Sequence, residues 1–292
     1  MDLLVPDPVY FTYDMSAQII TELKISISFI NKLLADPNSF YHYKDWPKKK
    51  FGREQVNEDG TPKYRHTKAP VAFLKFKQRE LVKYLQKIEL PSCLYGGVKN
   101  KNSIQNTLQH ENARYFFTID LKDFFSNINN NQVNRALREN GISWDDARII
   151  TKLCTVNRCL PQGAPTSSVL ANIVFAPTAR KLAEFSTEKK ITFTAFVDDL
   201  TFSSKYDFSK YKNQILETIR SSGFYPNNRK IHYRHGSCEV TGLIIKKNTL
   251  SLEKGMLENL RNPGIKAYID NVARQHIIHT ATKKENKDPG NL

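Results

Sequence analysis

Apolar residues recur at helical intervals near the start of the chain. Ile19, Leu23, Ile27, Ile30 and Leu34 fall three and four residues apart, which predicts an amphipathic helix over about 15–35. Asp14 or Ser16 suits its N-terminal cap, and Pro37 ends it. The period then disappears. Residues 38–68 are polar, basic and aromatic, and Lys48-Lys49-Lys50 and Asp59-Gly60-Thr61-Pro62 predict exposed loops and turns. Pro70 opens a second helix to about residue 88, with Leu74, Leu81, Leu85 and Ile88 on one face, and Pro91 stops it. A polar stretch with Gly96-Gly97 leads to a short helix over about 103–111.

The pattern changes at Arg114. Tyr115-Phe116-Phe117-Thr118-Ile119-Asp120 is short, aromatic and β-branched, as a strand requires. Helical periods follow over about 130–140 and 144–155. The loop Leu160-Pro161-Gln162-Gly163 comes next, then a helix from Pro165 to about residue 185. Two β-rich runs, 191–197 and 200–204, flank Asp198-Asp199, which predicts a hairpin with acids at its tip. A helix over about 208–221 and short strands near 231–234, 239–245 and 249–252 follow, the last two joined through Lys247-Asn248. Residues 253–278 read as helical and basic with an interruption at Pro263-Gly264, and the polar tail from Thr280 as frayed.

Charge adds a partner to this picture. Forty-four Lys and Arg against 29 Asp and Glu give a formal charge of +15. Such an excess favours a polyanion, because each phosphate neutralised releases condensed counterions. A merely soluble basic protein is the other reading. Cys93, Cys154, Cys159 and Cys238 form no paired metal-ligand spacing, so free thiols in a reducing compartment are expected rather than a zinc site. No apolar run approaches the roughly 18 residues of a membrane span, and the N-terminus lacks the order of a secretion signal. A cytoplasmic location with no membrane partner is the expectation.

The order strand, helices, acidic hairpin, helix, strand matches a split βαβ arrangement, which would set Asp120 beside the Asp198-Asp199 tip. Three converging carboxylates repel one another unless cations neutralise them. Mg²⁺ suits such hard oxygen donors, and two ions about 4 Å apart activate an attacking oxygen and stabilise a leaving one. Each piece has an ordinary reading as well: an Asp-Asp pair as a solvated turn, and Asp120 as a helix cap.

Taken together these residues resemble a known family. Phe116-Phe117-Thr118-Ile119-Asp120-Leu121-Lys122-Asp123-Phe124-Phe125 resembles motif A of reverse transcriptases. Leu160-Pro161-Gln162-Gly163-Ala164-Pro165-Thr166-Ser167-Ser168 is similar to their motif B, and Phe196-Val197-Asp198-Asp199-Leu200-Thr201-Phe202-Ser203 to their motif C, in the family's order. The resemblance covers about residues 60–260. It implies metal-binding and catalytic roles for Asp120, Asp198 and Asp199, with two Mg²⁺ ions, or Mn²⁺, as cofactors. It implies substrate-binding roles for Leu121, for Phe125 as the gate that selects deoxynucleotides, and for Gln162 and Gly163 along the incoming nucleotide. Lys63 and Arg65 are similar to cations that grip the triphosphate, and Lys230 matches a lysine that donates a proton to pyrophosphate. The alternatives are a core aromatic for Phe125, a helix-start turn for Pro161-Gln162-Gly163, a solvated residue for Lys63, and a phosphate-tracking or solvent lysine for Lys230.

Two shorter segments narrow the family. Asn106-Thr107-Leu108-Gln109-His110 is similar to an Asn-Ala-x-x-His signature of retron enzymes, and Val240-Thr241-Gly242 to their Val-Thr-Gly signature. Asn106, His110, Val240, Thr241 and Gly242 are therefore taken as RNA-recognition residues. Phe196, Thr107 and Ser168 depart from the commonest family residues. The implied fold is α+β, a right-hand polymerase. Residues 1–113 are the N-terminal region and α-rich fingers. Residues 114–250 are a palm built on an antiparallel sheet with packed helices, with a fingers segment at about 140–165. Residues 251–292 are a short C-terminal thumb and polar tail. The implied function is retron-type RNA-directed DNA synthesis from deoxynucleotides on a cognate structured noncoding RNA. The product is RNA-linked single-stranded DNA held as an RNA–DNA hybrid, made with an effector protein in antiphage defence. A second subunit is an open expectation. Tyr41, Tyr43, Trp46 and Phe51 are either stacking residues for unpaired bases or satellite core. Two rivals stand beside this reading: another defence-associated reverse transcriptase that works without a template, and a scaffold that binds RNA and grips an effector.

Overall fold

The computed structural model describes residues 18–50, 53–57, 59–246, 249–252 and 266–276. Asp14, Ser16, Phe51, Lys247-Asn248, Pro263-Gly264 and the tail from Thr280 lie outside them. No helix among the described residues is long and apolar enough to cross a membrane.

The expected N-terminal helix is two helices, α1 (Gln18–Glu22) and α2 (Ile27–Ala35). Lys24 sits at φ 48°, which no helix continues. Ser26 then restarts the chain, its hydroxyl accepting from the Phe29 amide at 3.2 Å. The chain passes through a 3₁₀ turn at Pro37–Phe40 into β1 (Tyr41–Pro47), β2 (Lys49–Lys50), β3 (Arg53–Glu54) and β4 (Tyr64–Pro70). The stretch expected as loop is thus largely a β-ribbon, with β1 antiparallel to β4 from Tyr41↔Pro70 to Pro47↔Tyr64. Its side chains are mostly exposed, so it lacks the apolar alternation that announces a strand. The Asp59-Gly60-Thr61 turn is present, with Asp59 accepting from both the Thr61 amide and hydroxyl.

Pro70 closes β4, and α3 (Ala72–Leu85) begins after it, burying Leu74, Leu81 and Leu85. Next come α4 (Ser103–Leu108), β5 (Tyr115–Leu121), α5 (Phe124–Asn127), α6 (Asn130–Glu139) and α7 (Trp144–Cys154). α8 (Ser167–Glu188) carries Pro177 inside it. β6 (Thr192–Phe196), β7 (Asp199–Ser204), α9 (Lys212–Ser221), β8 (Pro226–His235), β9 (Ser237–Val240), β10 (Leu243–Lys246) and β11 (Thr249–Leu252) complete the labelled elements. Residues 266–276 are helical.

The central sheet has the order β6-β7-β5-β8, antiparallel throughout. Strand alternation gives it two chemically different faces. Phe117, Ile119, Leu121, Leu200, Phe202 and Phe193 point into the main core, where α8 and α9 pack. Phe116, Thr118 and Asp120 take the other face. A second sheet, β11-β10-β9, covers that face at Phe116 through Cys238, Val240 and Ile245, and leaves the Asp120 end open.

The second sheet is locked to α4 by buried polar groups. The β9–β10 turn holds Thr241 at φ 45° and Gly242 at φ 88°, the paired positive φ of a type I′ hairpin. A β-branched residue is strained there. The Thr241 hydroxyl compensates by donating to the Ser103 carbonyl at 2.9 Å and lying 3.0 Å from the Thr107 hydroxyl. Thr107 lies 2.8 Å from the Val240 carbonyl, and the Asn106 amide donates to Thr241 at 3.4 Å. Replacing Thr107 with Val keeps its shape but orphans these buried partners. The expected cost is about 1–3 kcal/mol of unfolding free energy; an unchanged denaturant midpoint for Thr107→Val would dismiss the lock.

Candidate active site

The β5–β7 register sets Asp120 directly opposite Asp199. The β6–β7 turn places Asp198 next to them, and its carbonyl accepts from the Leu121 amide at 2.8 Å. All three acids named from the sequence therefore share one end of the sheet. The turn is strained, because Val197 is β-branched and sits at φ 59°. Gly96 packs on it so closely that a Cβ would lie 2.5 Å from both the Val197 amide nitrogen and Cγ2. The Asn172 amide pins the same loop by donating to the Gly96 carbonyl at 2.7 Å. The sequence showed Gly96-Gly97 only as a break between helices; nothing local marked it as the wedge behind the acids.

Lys230 is the cation of the cluster, with Nζ 2.6 Å from Asp120 Oδ2. The Asn227 amide donates to the other Asp120 oxygen at 3.2 Å. Burial works against the Lys230 charge, but the three carboxylates outweigh it and raise its pKa. Asp198 is pushed up by desolvation and then by the Asp120 charge, against pulls from Lys230 and Arg65. Asp199 keeps a side open to water, yet desolvation in the cleft and then the charges of Asp198 and Asp120 push it up to about 7. The cluster thus carries more negative charge than Lys230 balances.

Hard carboxylate oxygens short of positive charge fit a divalent cation such as Mg²⁺. Among the described residues no three His, Cys, Asp or Glu side chains are already drawn together as a ligand group. Asp120 is instead spent on Lys230 and Asn227, so a bound ion would have to take its place in that contact.

A second cavity lies between the β-ribbon and the loop before α8. Arg65, Arg79, Phe125, Gln162, Gly163 and Ser168 help line it. The loop is fastened to the ribbon by the Lys68 amide, which donates to the Gln162 carbonyl at 2.8 Å. Gly163 makes this approach at φ 114°, with its Cα side facing Thr67 and Lys68. Four sequence-named residues, Arg65, Phe125, Gln162 and Gly163, thereby meet. Arg79, on an exposed turn of α3, joins them; fourteen residues beyond Arg65, it carried no motif by which to find it. Lys63 is not in this lining; it lies in the loop before β4, its amide donating to the Gln55 carbonyl. Leu121 is 2% exposed, so its side chain belongs to the core and only its backbone touches the acidic turn.

The five residues taken for RNA recognition lie elsewhere. Asn106 and His110 are 1% exposed. His110 bridges two strands, Nδ1 lying 2.7 Å from the Ser203 hydroxyl and Nε2 2.8 Å from that of Thr194. Burial pushes its pKa down to about 3, which keeps the ring neutral. Val240, Thr241 and Gly242 line the cleft of about 670 Å³ that also holds Asp120, Asp199 and Lys230. The first signature thus holds the second in place under the acids, rather than presenting its own side chains to RNA.

A family model described as reverse transcriptase (RNA-dependent DNA polymerase) matches residues 47–245. The chain belongs to the reverse transcriptase family. Relatives of this chain include the retron Ec86 reverse transcriptase of Escherichia coli, 27% identical over 61% of this chain and 57% of that protein. The retron Ec83 reverse transcriptase of the same organism is 27% identical over 63% and 65%. The retron Se72 reverse transcriptase of Salmonella heidelberg is 26% identical over 77% and 62%. The matches therefore span less than two thirds of each of these relatives. Apo telomerase from Candida tropicalis aligns with a TM-score of 0.51 at 13% identity, over 82% of this chain and 52% of that one. A form of it truncated from the C-terminal domain gives 0.50 at 11% identity, over 77% and 60%. The fold is that of a right-hand polymerase, and the expected α+β class holds.

Asp199 supplies a pH test of the acid cluster that does not depend on turnover. Its pKa rises from 3.8 to about 7 on folding. Between those values the folded chain holds a proton that the unfolded chain has lost. The stability this group contributes is therefore complete below about pH 4 and disappears as pH rises through 7. In metal-free protein, the melting-temperature advantage of Asp199→Asn over the parent should open as pH rises from 4 to 8, and Mg²⁺ should close it. A constant difference across that range refutes the charge crowding.

Proposed function

We propose that this reverse transcriptase extends DNA strands on an RNA template, of the retron type, by nucleotidyl transfer at Asp120, Asp198 and Asp199. The observation that carries the reading is the pairing of Asp120 with Asp199 across β5 and β7, with Asp198 on the adjoining turn, at the open end of the sheet. Two Mg²⁺ ions bound there, or Mn²⁺, would supply Lewis-acid activation of the attacking hydroxyl and stabilise the leaving oxygen.

The chain's own groups do the rest. Phosphoryl transfer is mostly positioning and charge stabilisation. Arg65 and Arg79 face the cavity where a triphosphate would lie, and guanidinium groups bind phosphate in a fixed fork. Phe125 stands in the same lining, where its ring would exclude a ribose 2′-hydroxyl. The Gln162–Gly163 loop, held to β4, would support the nucleotide and the template base. Lys230, whose ammonium donates to Asp120 at 2.6 Å, is the residue that would donate a proton to pyrophosphate.

The partner is a structured RNA. The charge of +15 supports it, and A-form helices are bound by shape, phosphates and 2′-hydroxyls. Similarity to retron enzymes supports the finer reading: a cognate noncoding RNA, an RNA-linked DNA product and an effector protein in antiphage defence. The α4-to-β9–β10 lock carries the two segments through which that similarity is most specific.

Asp198→Ala and Asp199→Ala are each expected to lower deoxynucleotide incorporation on a primed RNA template to background. Full incorporation by either variant rules out the acid site. Phe125→Val should admit ribonucleotides by relieving the clash at the 2′ position. Unaltered discrimination in a competition between the two sugars would remove the gate.

A further inference from the structure

The two faces of the β1–β4 ribbon differ in charge. Register and alternation put His42, Lys44, Trp46, Arg65, Thr67 and Ala69 on one face. That face carries no carboxylate. Asp45 points to the other one, where its Oδ1 lies 2.7 Å from His66 Nδ1. The carboxylate-free face is also the one that meets the nucleotide cavity, since Arg65 and Thr67 line it. The ribbon cannot swing freely away from that cavity. Its inner strand is bonded to the Gln162 loop, and its base to Phe40 through the Val71 amide.

Trp46 is directly opposite Arg65, one strand further out. Neighbouring strands lie about 4.8 Å apart, so the indole stands at the rim of the cavity rather than inside it. It is 50% exposed, an unusual position for so large an apolar group. The Lys44 ammonium sits 3.9 Å from the ring centroid and covers part of the indole, leaving the exposed remainder to solvent. A flat aromatic surface, a cation beside it and no carboxylate on its face form the combination that holds an unpaired base and its phosphate. Tyr43, by contrast, faces the far side with His66 and Lys68. The aromatics of the basic N-terminal stretch therefore do not act as one group.

We propose that Trp46 is a stacking platform for an unpaired template nucleobase as the strand enters the cleft, with Lys44 beside it for the adjoining phosphate. This rests on the polymerase reading above. The nucleotide itself belongs between Arg65, Phe125 and Gln162, so a base at Trp46 is one not yet copied. The platform orders the single strand before it pairs.

The chain has two tryptophans, so Trp144→Phe leaves Trp46 as the sole indole reporter. The full chain carrying that change is titrated with an RNA template annealed to a DNA primer, either with a 5′ RNA overhang or blunt. Fluorescence quenching is expected with the overhang and not with the blunt duplex. Adding Trp46→Ala is read separately by anisotropy of labelled nucleic acid. It should weaken overhang binding on the order of tenfold and leave blunt-duplex binding unchanged, whereas Trp46→Phe should retain most of the affinity. Equal quenching by the two duplexes overturns the proposal, as does unaltered overhang affinity in Trp46→Ala. Equal quenching by unpaired RNA alone reassigns the residue to general RNA binding and also overturns it. Asp199→Ala, introduced into the Trp144→Phe chain, separates the two readings. It abolishes incorporation if the acid site is right and keeps the overhang-specific quenching if the platform is right.

Discussion

Everything chemical in this protein depends on one pairing between strands. The β5–β7 register sets Asp120 against Asp199, and the strained turn between β6 and β7 adds Asp198. A shift of one residue would turn either acid into the core face, among Ile119 and Leu200. The register is held by what lies behind it: Phe117, Ile119, Phe202 and Leu200 are buried on that face. Burying those side chains therefore enforces the proximity of like charges on the other side. The resulting repulsion is relieved in part by Lys230, 2.6 Å from Asp120.

The surrounding devices support that arrangement from different directions. Gly96 approaches the Val197 turn as only a residue without a side chain can, and Asn172 fastens it from α8. Beneath the acids, α4 and the β9–β10 turn share buried hydroxyls and an amide, while His110 ties the segment after α4 to β6 and β7. A buried polar network of this kind is costly when broken, because each partner then lacks water as well as its bond. The two retron-like signatures are therefore halves of one joint. Their sequence likeness reflects a shared geometry at least as much as a contact surface.

The second cavity is assembled from four separated stretches: Arg65 on the ribbon, Arg79 on α3, Phe125 after β5, and Gln162–Gly163 before α8. The ribbon contributes Arg65 and Thr67 from its face without carboxylates, while the acids stay at the sheet end. The acids and the basic lining stay apart because they belong to different elements, the acids to the central sheet and Arg65 and Arg79 to the ribbon and α3.

Much of the acid cluster was legible in the sequence, since strand periodicity and turn chemistry bracket Asp120, Asp198 and Asp199 within short local segments. The sheet, the acidic hairpin and helices α6, α7 and α9 follow from the same local rules. The β-ribbon did not, because exposed strands bury too little apolar surface to leave a two-residue period. Nor did the break at Lys24, where an apolar stripe continues although the backbone does not. The roles of Gly96, Arg79, Thr107 and Leu121 were decided only by tertiary structure. What the sequence by itself determined is the family and the short segments that hold its motifs. Which of their residues meet in one cavity, which brace the turn and which face of the ribbon lines that cavity depend on long-range strand register and close packing, properties that no local pattern encodes.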